Sequence, residues 1–228
     1  MDAFPAFIPL SGKSVLVVGE GEMADGKADL FAGSPARLHR RPFDTSAFEA
    51  ATYRGFDLVF IAAPDDEGGA AAAAAARAGG ARLVNVVDRP SLCDFYTPAL
   101  VDRGAVVAAV GTNGSGPVLA QRLKRAIAGV VPEGAGAVAD LLKRLQGDIR
   151  ARFPDFPGRR AFIGALLDGP AAAAAMDGRA AEALALARAD LAAAGPAAGL
   201  EVEVASARLG QEEEADEDGE ARGHDRVP

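Results

Sequence analysis

Cysteine is almost missing from this chain: Cys93 is the single one in 228 residues. One thiol excludes an internal disulfide framework and agrees with a reducing compartment. Cys93 reads as a small packed hydrophobe rather than a nucleophile. No CxxC or HxxxH pair occurs, and the two histidines, His39 and His224, stand far apart, so spacing offers no metal site. Long apolar runs are also missing. A membrane helix needs roughly 18 uninterrupted apolar residues, and the N-terminus lacks a basic stretch leading into an apolar one. These absences predict a cytoplasmic protein without a membrane partner.

Half of the residues are hydrophobic and a quarter charged, the balance of a globular chain with room for one sizeable domain or two small ones. The net charge of -8 is unevenly spread. Residues 211–228 carry eight acids against two arginines, which leaves only -2 for the preceding 210 residues. So acidic and apolar-poor a tail is expected to stay disordered, and a body this close to neutral does not suggest nucleic-acid binding.

Apolar strings alternate with helical patterns over the first 110 residues. Ser14–Val18, Phe56–Ala62 and Leu83–Val87 read as buried strands, Ala36–Arg40 as a weak one and Ala105–Val110 as a further one. Met23–Phe31 and Gly69–Ala78 read as the helices between them. This order predicts an α/β fold with a Rossmann-like, mainly parallel sheet. From Val118 the period becomes helical, with segments at 118–128, 136–153, 160–167 and 178–194 separated by Gly or Pro breaks. Alanine runs at 70–76, 171–175 and 180–194 reflect composition bias and close helix packing. The expected organisation is a dinucleotide-binding unit over 1–112, a helical dimerisation region over 113–152, a small helical region over 153–208 and the acidic tail over 209–228.

The first strand runs straight into Gly19-Glu-Gly-Glu-Met-Ala24, a GxGxxA turn. Gly19 permits the tight turn, Gly21 lets backbone approach a pyrophosphate, and Ala24 lets the following helix sit close to the strand, with Glu22 and Met23 completing the cofactor turn. An acid about 20 positions further on would hold the adenosine ribose of NAD. His39, Arg40 and Arg41 stand there instead, and Arg40 makes NADP a candidate. Asp88 follows the buried strand at 83–87, at the edge where open α/β sheets place ligands. Thr112-Asn-Gly-Ser-Gly-Pro117 is a second glycine-rich loop, whose amides suit an anion.

Four strings, in order, resemble the precorrin-2 dehydrogenase / sirohydrochlorin ferrochelatase family, the dehydrogenase-chelatase part of siroheme synthase. They are Phe4–Leu10, Gly19–Ala24 with Lys27, Asn85–Phe95 and Thr112–Ala120. The resemblance implies a homodimer that passes a hydride from precorrin-2 to NAD and yields sirohydrochlorin, in many members followed by insertion of ferrous iron, which is then a substrate. It implies Asp88 as the acid/base and Thr112, Asn113, Gly114 and Ser115 as substrate contacts. Family loops more often read Thr-Gly-Gly-x-Ser-Pro, so here Asn113 replaces a glycine and Gly116 a serine. An octacarboxylate substrate calls for cations, and Arg122, Lys124, Arg125, Arg150, Arg152, Arg159 and Arg160 are candidates. Relatives usually interpose a helix and a strand after the position of Arg41, and this chain does not. That shortening also fits a noncatalytic tetrapyrrole-binding or redox-sensing module, or a chelatase without dehydrogenation.

Overall fold

The computed structural model describes residues 2–194, and the acidic tail lies outside them. Four strands, β1 (Ser14–Val18), β2 (Arg37–Arg41), β3 (Leu58–Ile61) and β4 (Leu83–Val86), form one parallel sheet in the order β2-β1-β3-β4. β1, β3 and β4 are nearly continuous apolar runs because both sheet faces are covered. Leu16, Val18, Val59, Ile61, Val84 and Val86 pack under α2 (Asp66–Ala78) and two single 3-10 turns, Thr45–Phe48 and Ala50–Tyr53. Val15, Val17, Leu58 and Phe60 face α1 (Glu22–Asp29), where Ala24 and Ala28 are buried. Phe60 also meets Phe31 and Phe95 edge to face, with centroids 5.6 and 5.4 Å away.

The alanine run of α2 has a steric reason. Gly79 ends the helix where a Cβ would come within 2.2 Å of Ala50 O, and Ala72, Ala73 and Ala76 are fully buried. Small residues therefore bring α2 down onto the sheet. β2 is an edge strand whose five residues are all exposed, and its link to β3 is made by the two 3-10 turns alone. The expected shortening after Arg41 takes that physical form.

The segment at 105–110 departs from the expected parallel strand. β6 (Val106–Val110) instead pairs antiparallel with β5 (Ala99–Arg103), a strand the sequence pattern did not single out. The reason is local: Gly104, at φ 71°, donates its amide to Asp102 Oδ1 at 2.8 Å and closes a tight hairpin. Neither strand joins the parallel sheet.

Beyond the hairpin come α3 (Pro117–Val130), α4 (Ala135–Arg152), α5 (Phe156–Leu167), α6 (Pro170–Met176) and α7 (Ala180–Ala193). Leu141, Leu145, Ile149 and Phe153 recur every four residues along α4 and meet the alanine faces of α6 and α7. The run at 171–175 is a helix of its own, opened by Pro170 in its first turn. Among the described residues no helix is long and apolar enough to cross a membrane.

Candidate active site

The site is built on the carboxyl edge of the parallel sheet, where β1 and β3 diverge toward opposite connections. Gly19 leaves β1 at φ 127° and donates its amide to Arg41 O at 2.9 Å, tying the turn to the end of β2. A Cβ on Gly19 would stand 2.6 Å from Ala62 O, so the residue after β3 closes directly on the turn. Gly21, at φ 77°, heads α1 with no side-chain cap and open space where a Cβ would be. The first amides of α1 are thus free for an anion, and Ala24 seats the helix on the sheet. Glu20, Met23, Phe43, Ala62, Ala63 and Pro64 line a cavity of about 270 Å³ over this edge. The bare, glycine-lined approach fits a dinucleotide pyrophosphate.

Asp88 follows β4 on an exposed, left-handed backbone at φ 60°. Its neighbours are held tightly. The Val87 amide donates to Ile61 O at 2.9 Å, and the Arg89 guanidinium donates to Asp66 Oδ1 at 2.7 Å and to the carbonyls of Ala63 and Val87 at 3.3 Å. The clamp leaves the carboxylate of Asp88 on the rim, where it can accept a proton from a group lying over the sheet edge.

Near this segment Asn85 and Lys27 have no role assigned from sequence, and Cys93 packs between them. Asn85 is 5% exposed; its Nδ2 donates to Phe95 O at 2.9 Å while its Oδ1 has no partner among the described residues. An amide in the middle of an apolar strand is the signal that marks it. Cys93 lies 3.2 Å from both the amide and the carbonyl of Val86, and burial pushes its thiol pKa up, which suits packing rather than nucleophilic attack. Lys27, one turn beyond Ala24 on α1, donates to Thr97 Oγ1 at 3.3 Å. Burial holds its pKa below the usual lysine range, against the opposing pull of the Asp88 carboxylate and Cys93.

The Thr112 loop runs from β6 into α3 and folds on itself. Ser115 Oγ and its amide both donate to Thr112 O, at 2.6 and 3.0 Å, and Asn113 takes the left-handed conformation at φ 50°. A Cβ on Gly114 would lie 3.7 Å from Pro90, so the loop borders the segment that carries Asp88. The cations are dispersed. Arg40 pairs with Asp25 on α1, Arg152 is bonded to Ala194 O, and Arg159 donates to the carbonyls of Phe153 and Pro154. Arg122, Arg125, Arg150 and Arg160 are exposed. Among the described residues no group of three or more His, Cys, Asp or Glu could hold a metal ion.

Two family models match: a putative NAD(P)-binding family over residues 6–99, and the sirohaem synthase dimerisation region over residues 134–191. The chain belongs to the precorrin-2 dehydrogenase / sirohydrochlorin ferrochelatase family, the N-terminal part of siroheme synthase. The siroheme synthase of Psychrobacter cryohalolentis is 36% identical over 207 residues, covering 84% of this chain and 40% of that protein. Siroheme synthases of Methylococcus capsulatus (39% over 200 residues, 80% of this chain and 42% of that protein) and Stutzerimonas stutzeri (36% over 227 residues, 92% and 49%) behave alike. The chain thus spans two-fifths to half the length of these siroheme synthases. A solved structure of SirC, precorrin-2 dehydrogenase, superposes with a TM-score of 0.52 at 17% identity, covering 82% of this chain and all of that one. That likeness shows the shared fold.

Proposed function

We propose that this chain dehydrogenates precorrin-2 to sirohydrochlorin in siroheme synthesis, using a nicotinamide dinucleotide. The observation that carries the reading is the placing of a left-handed Asp88 on the same sheet edge as the Gly19–Ala24 turn. The glycine turn and the α1 amides would hold the diphosphate, with Met23 against the cofactor and Glu22 in the first turn. The bound nicotinamide supplies the hydride acceptor. The macrocycle loses one hydride and one proton, and Asp88 takes the proton. Arg89 and Asp66 keep that carboxylate on the rim.

Thr112, Asn113, Gly114 and Ser115 would border the macrocycle, and Arg122 would meet one of its carboxylates. The sirohaem synthase dimerisation match over 134–191 supports a homodimer. Ferrous iron would enter as a substrate ligated by the tetrapyrrole nitrogens, and Asp88 would accept the pyrrole protons it displaces. The cytoplasm is the compartment that fits a lone free thiol.

The test is a mixture of purified protein, precorrin-2 and dinucleotide, followed by reduced-dinucleotide absorbance and the sirohydrochlorin spectrum. Turnover is expected. Its absence with both NAD+ and NADP+ overturns the dehydrogenase reading, and metal insertion without any need for dinucleotide would then favour a chelatase, a reading that the short β2–β3 link supports.

A further inference from the structure

The glycine turn alone does not specify which form of the dinucleotide is held. In a doubly wound sheet the adenosine ribose lies over the carboxyl end of the second strand, where a carboxylate suits free ribose hydroxyls and a guanidinium suits a 2′-phosphate. Between residues 36 and 43 this chain has no acid and three arginines. The parallel register sets Arg41 beside Val18, and its carbonyl receives the Gly19 amide at 2.9 Å, so Arg41 is fixed at the mouth of the turn.

The two arginines at that end are not equivalent. Successive strand residues point to opposite faces, and Arg40 faces α1, where Asp25 neutralises it. Arg41 is exposed and has no side-chain hydrogen bond or ion pair among the described residues. The nearest following acid, Asp44, accepts from the Ser46 amide at 2.9 Å and from Ser46 Oγ at 2.6 Å, capping a 3-10 turn, and these bonds lower its pKa more than the charge attraction of Arg41 does. No strand lies beyond β2 among the described residues, so the adenine lacks the wall that a further strand and helix would supply. Binding on this half must draw on a strong polar contact, and a bidentate guanidinium–phosphate pair is the strongest this edge offers.

We propose that Arg41 makes this site selective for the 2′-phosphorylated dinucleotide, NADP, over NAD. The proposal rests on the reading that a dinucleotide occupies the Gly19–Ala24 turn, and binding alone tests it. Titrate the full chain with NADP+ and with NAD+ in a calorimeter at low ionic strength. NADP+ should bind about tenfold or more tightly. Arg41→Ala should reduce that ratio to about twofold by weakening NADP+ alone, Arg41→Lys should retain part of it, and Arg40→Ala should leave most of it. Equal affinities, or an Arg41→Ala variant that keeps the preference, overturn the selectivity while leaving dinucleotide binding intact. Failure of both ligands to bind overturns the occupancy reading and the selectivity with it.

Discussion

Gly19 and Ala62 close on each other across the ends of β1 and β3, leaving no space for a methyl group: a Cβ on Gly19 would stand 2.6 Å from Ala62 O and 2.8 Å from Ala62 Cβ. The obstacle is backbone, which cannot rotate away, and φ at Gly19 is already 127°. Gly19→Ala is expected to push the two strand ends apart, cost about 1–3 kcal/mol of stability and weaken dinucleotide binding by tenfold or more. Gly21→Ala meets no atom, so its strain comes from φ alone and its loss of stability should be the smaller of the two. Denaturant midpoints and calorimetric titration of both variants check the order.

The charge of Lys27 is felt by Asp88, the proposed proton acceptor, and the side chain reaches across from the cofactor helix to Thr97. Replacing it by Met removes a charge whose burial is unfavourable, so Lys27→Met should be no less stable than wild type at neutral pH. Turnover should nonetheless fall, about tenfold, because the carboxylate loses its neighbouring positive charge. The sign with pH follows from the depressed pKa. The cost of burying the ammonium applies below the folded-state pKa and disappears as pH rises through it toward the usual lysine value, so the stability of wild type gains on that of Lys27→Met on the alkaline side. Rate profiles should show an alkaline fall in wild type that Lys27→Arg moves to higher pH and Lys27→Met abolishes. Identical profiles in all three would separate Lys27 from the chemistry.

Much of this arrangement is legible in the residues, and the illegible part is tertiary. β1, β3 and β4 can be read because burial on both faces demands nearly unbroken apolar runs, and α4 because Leu141, Leu145 and Ile149 keep one stripe. The hairpin escaped because Val106–Val110 is equally apolar in a parallel or an antiparallel partner's company, and the Asp102–Gly104 turn decides which. Gly19, Gly21 and Ala24 are readable since their spacing encodes the turn itself. The left-handed backbone of Asp88, the unpartnered Asn85 Oδ1 and a Lys27 contact across 70 residues depend on what folding brings together. Arg152 and Arg159 read as free cations in sequence, yet folding commits both to carbonyl oxygens.

Acid sensitivity should arise at the opposite edge of the sheet. Asp57 accepts the Ser14 amide at 3.0 Å and Lys13 Nζ at 3.0 Å, with Arg82 Nε at 3.6 Å, so one carboxylate joins the starts of β1, β3 and β4. The Ser14 hydrogen bond, then Lys13, holds its pKa below the usual carboxylate range. A depressed pKa contributes stability above the unfolded-state value and loses it as pH falls through the folded-state value. Asp57→Asn should therefore be less stable than wild type at pH 7, and the gap should shrink steadily below about pH 4. Urea midpoints across pH 2–7 measure it; a gap independent of pH would mean that the charge on Asp57 is immaterial.

Two glycines on α4 make the last comparison, because the same substitution should act in opposite directions on one helix. Alanine is favoured over glycine in a helix interior by about 1 kcal/mol. Gly147 has open space where a Cβ would be, so Gly147→Ala should raise stability by about that amount. A Cβ on Gly136 would fall 1.7 Å from Arg103 O and 3.2 Å from the Ala105 amide nitrogen, atoms of the β5–β6 turn that cannot swing aside. The first turn of α4 must then lift off the hairpin, and the helical gain is overwhelmed, with a net loss of about 3 kcal/mol or more. Since β6 leads into the Thr112 loop, the displacement should also loosen tetrapyrrole binding in Gly136→Ala while Gly147→Ala binds normally. Denaturation curves and sirohydrochlorin fluorescence titrations of the pair test this docking, and a stabilised Gly136→Ala would show that α4 does not sit against the hairpin.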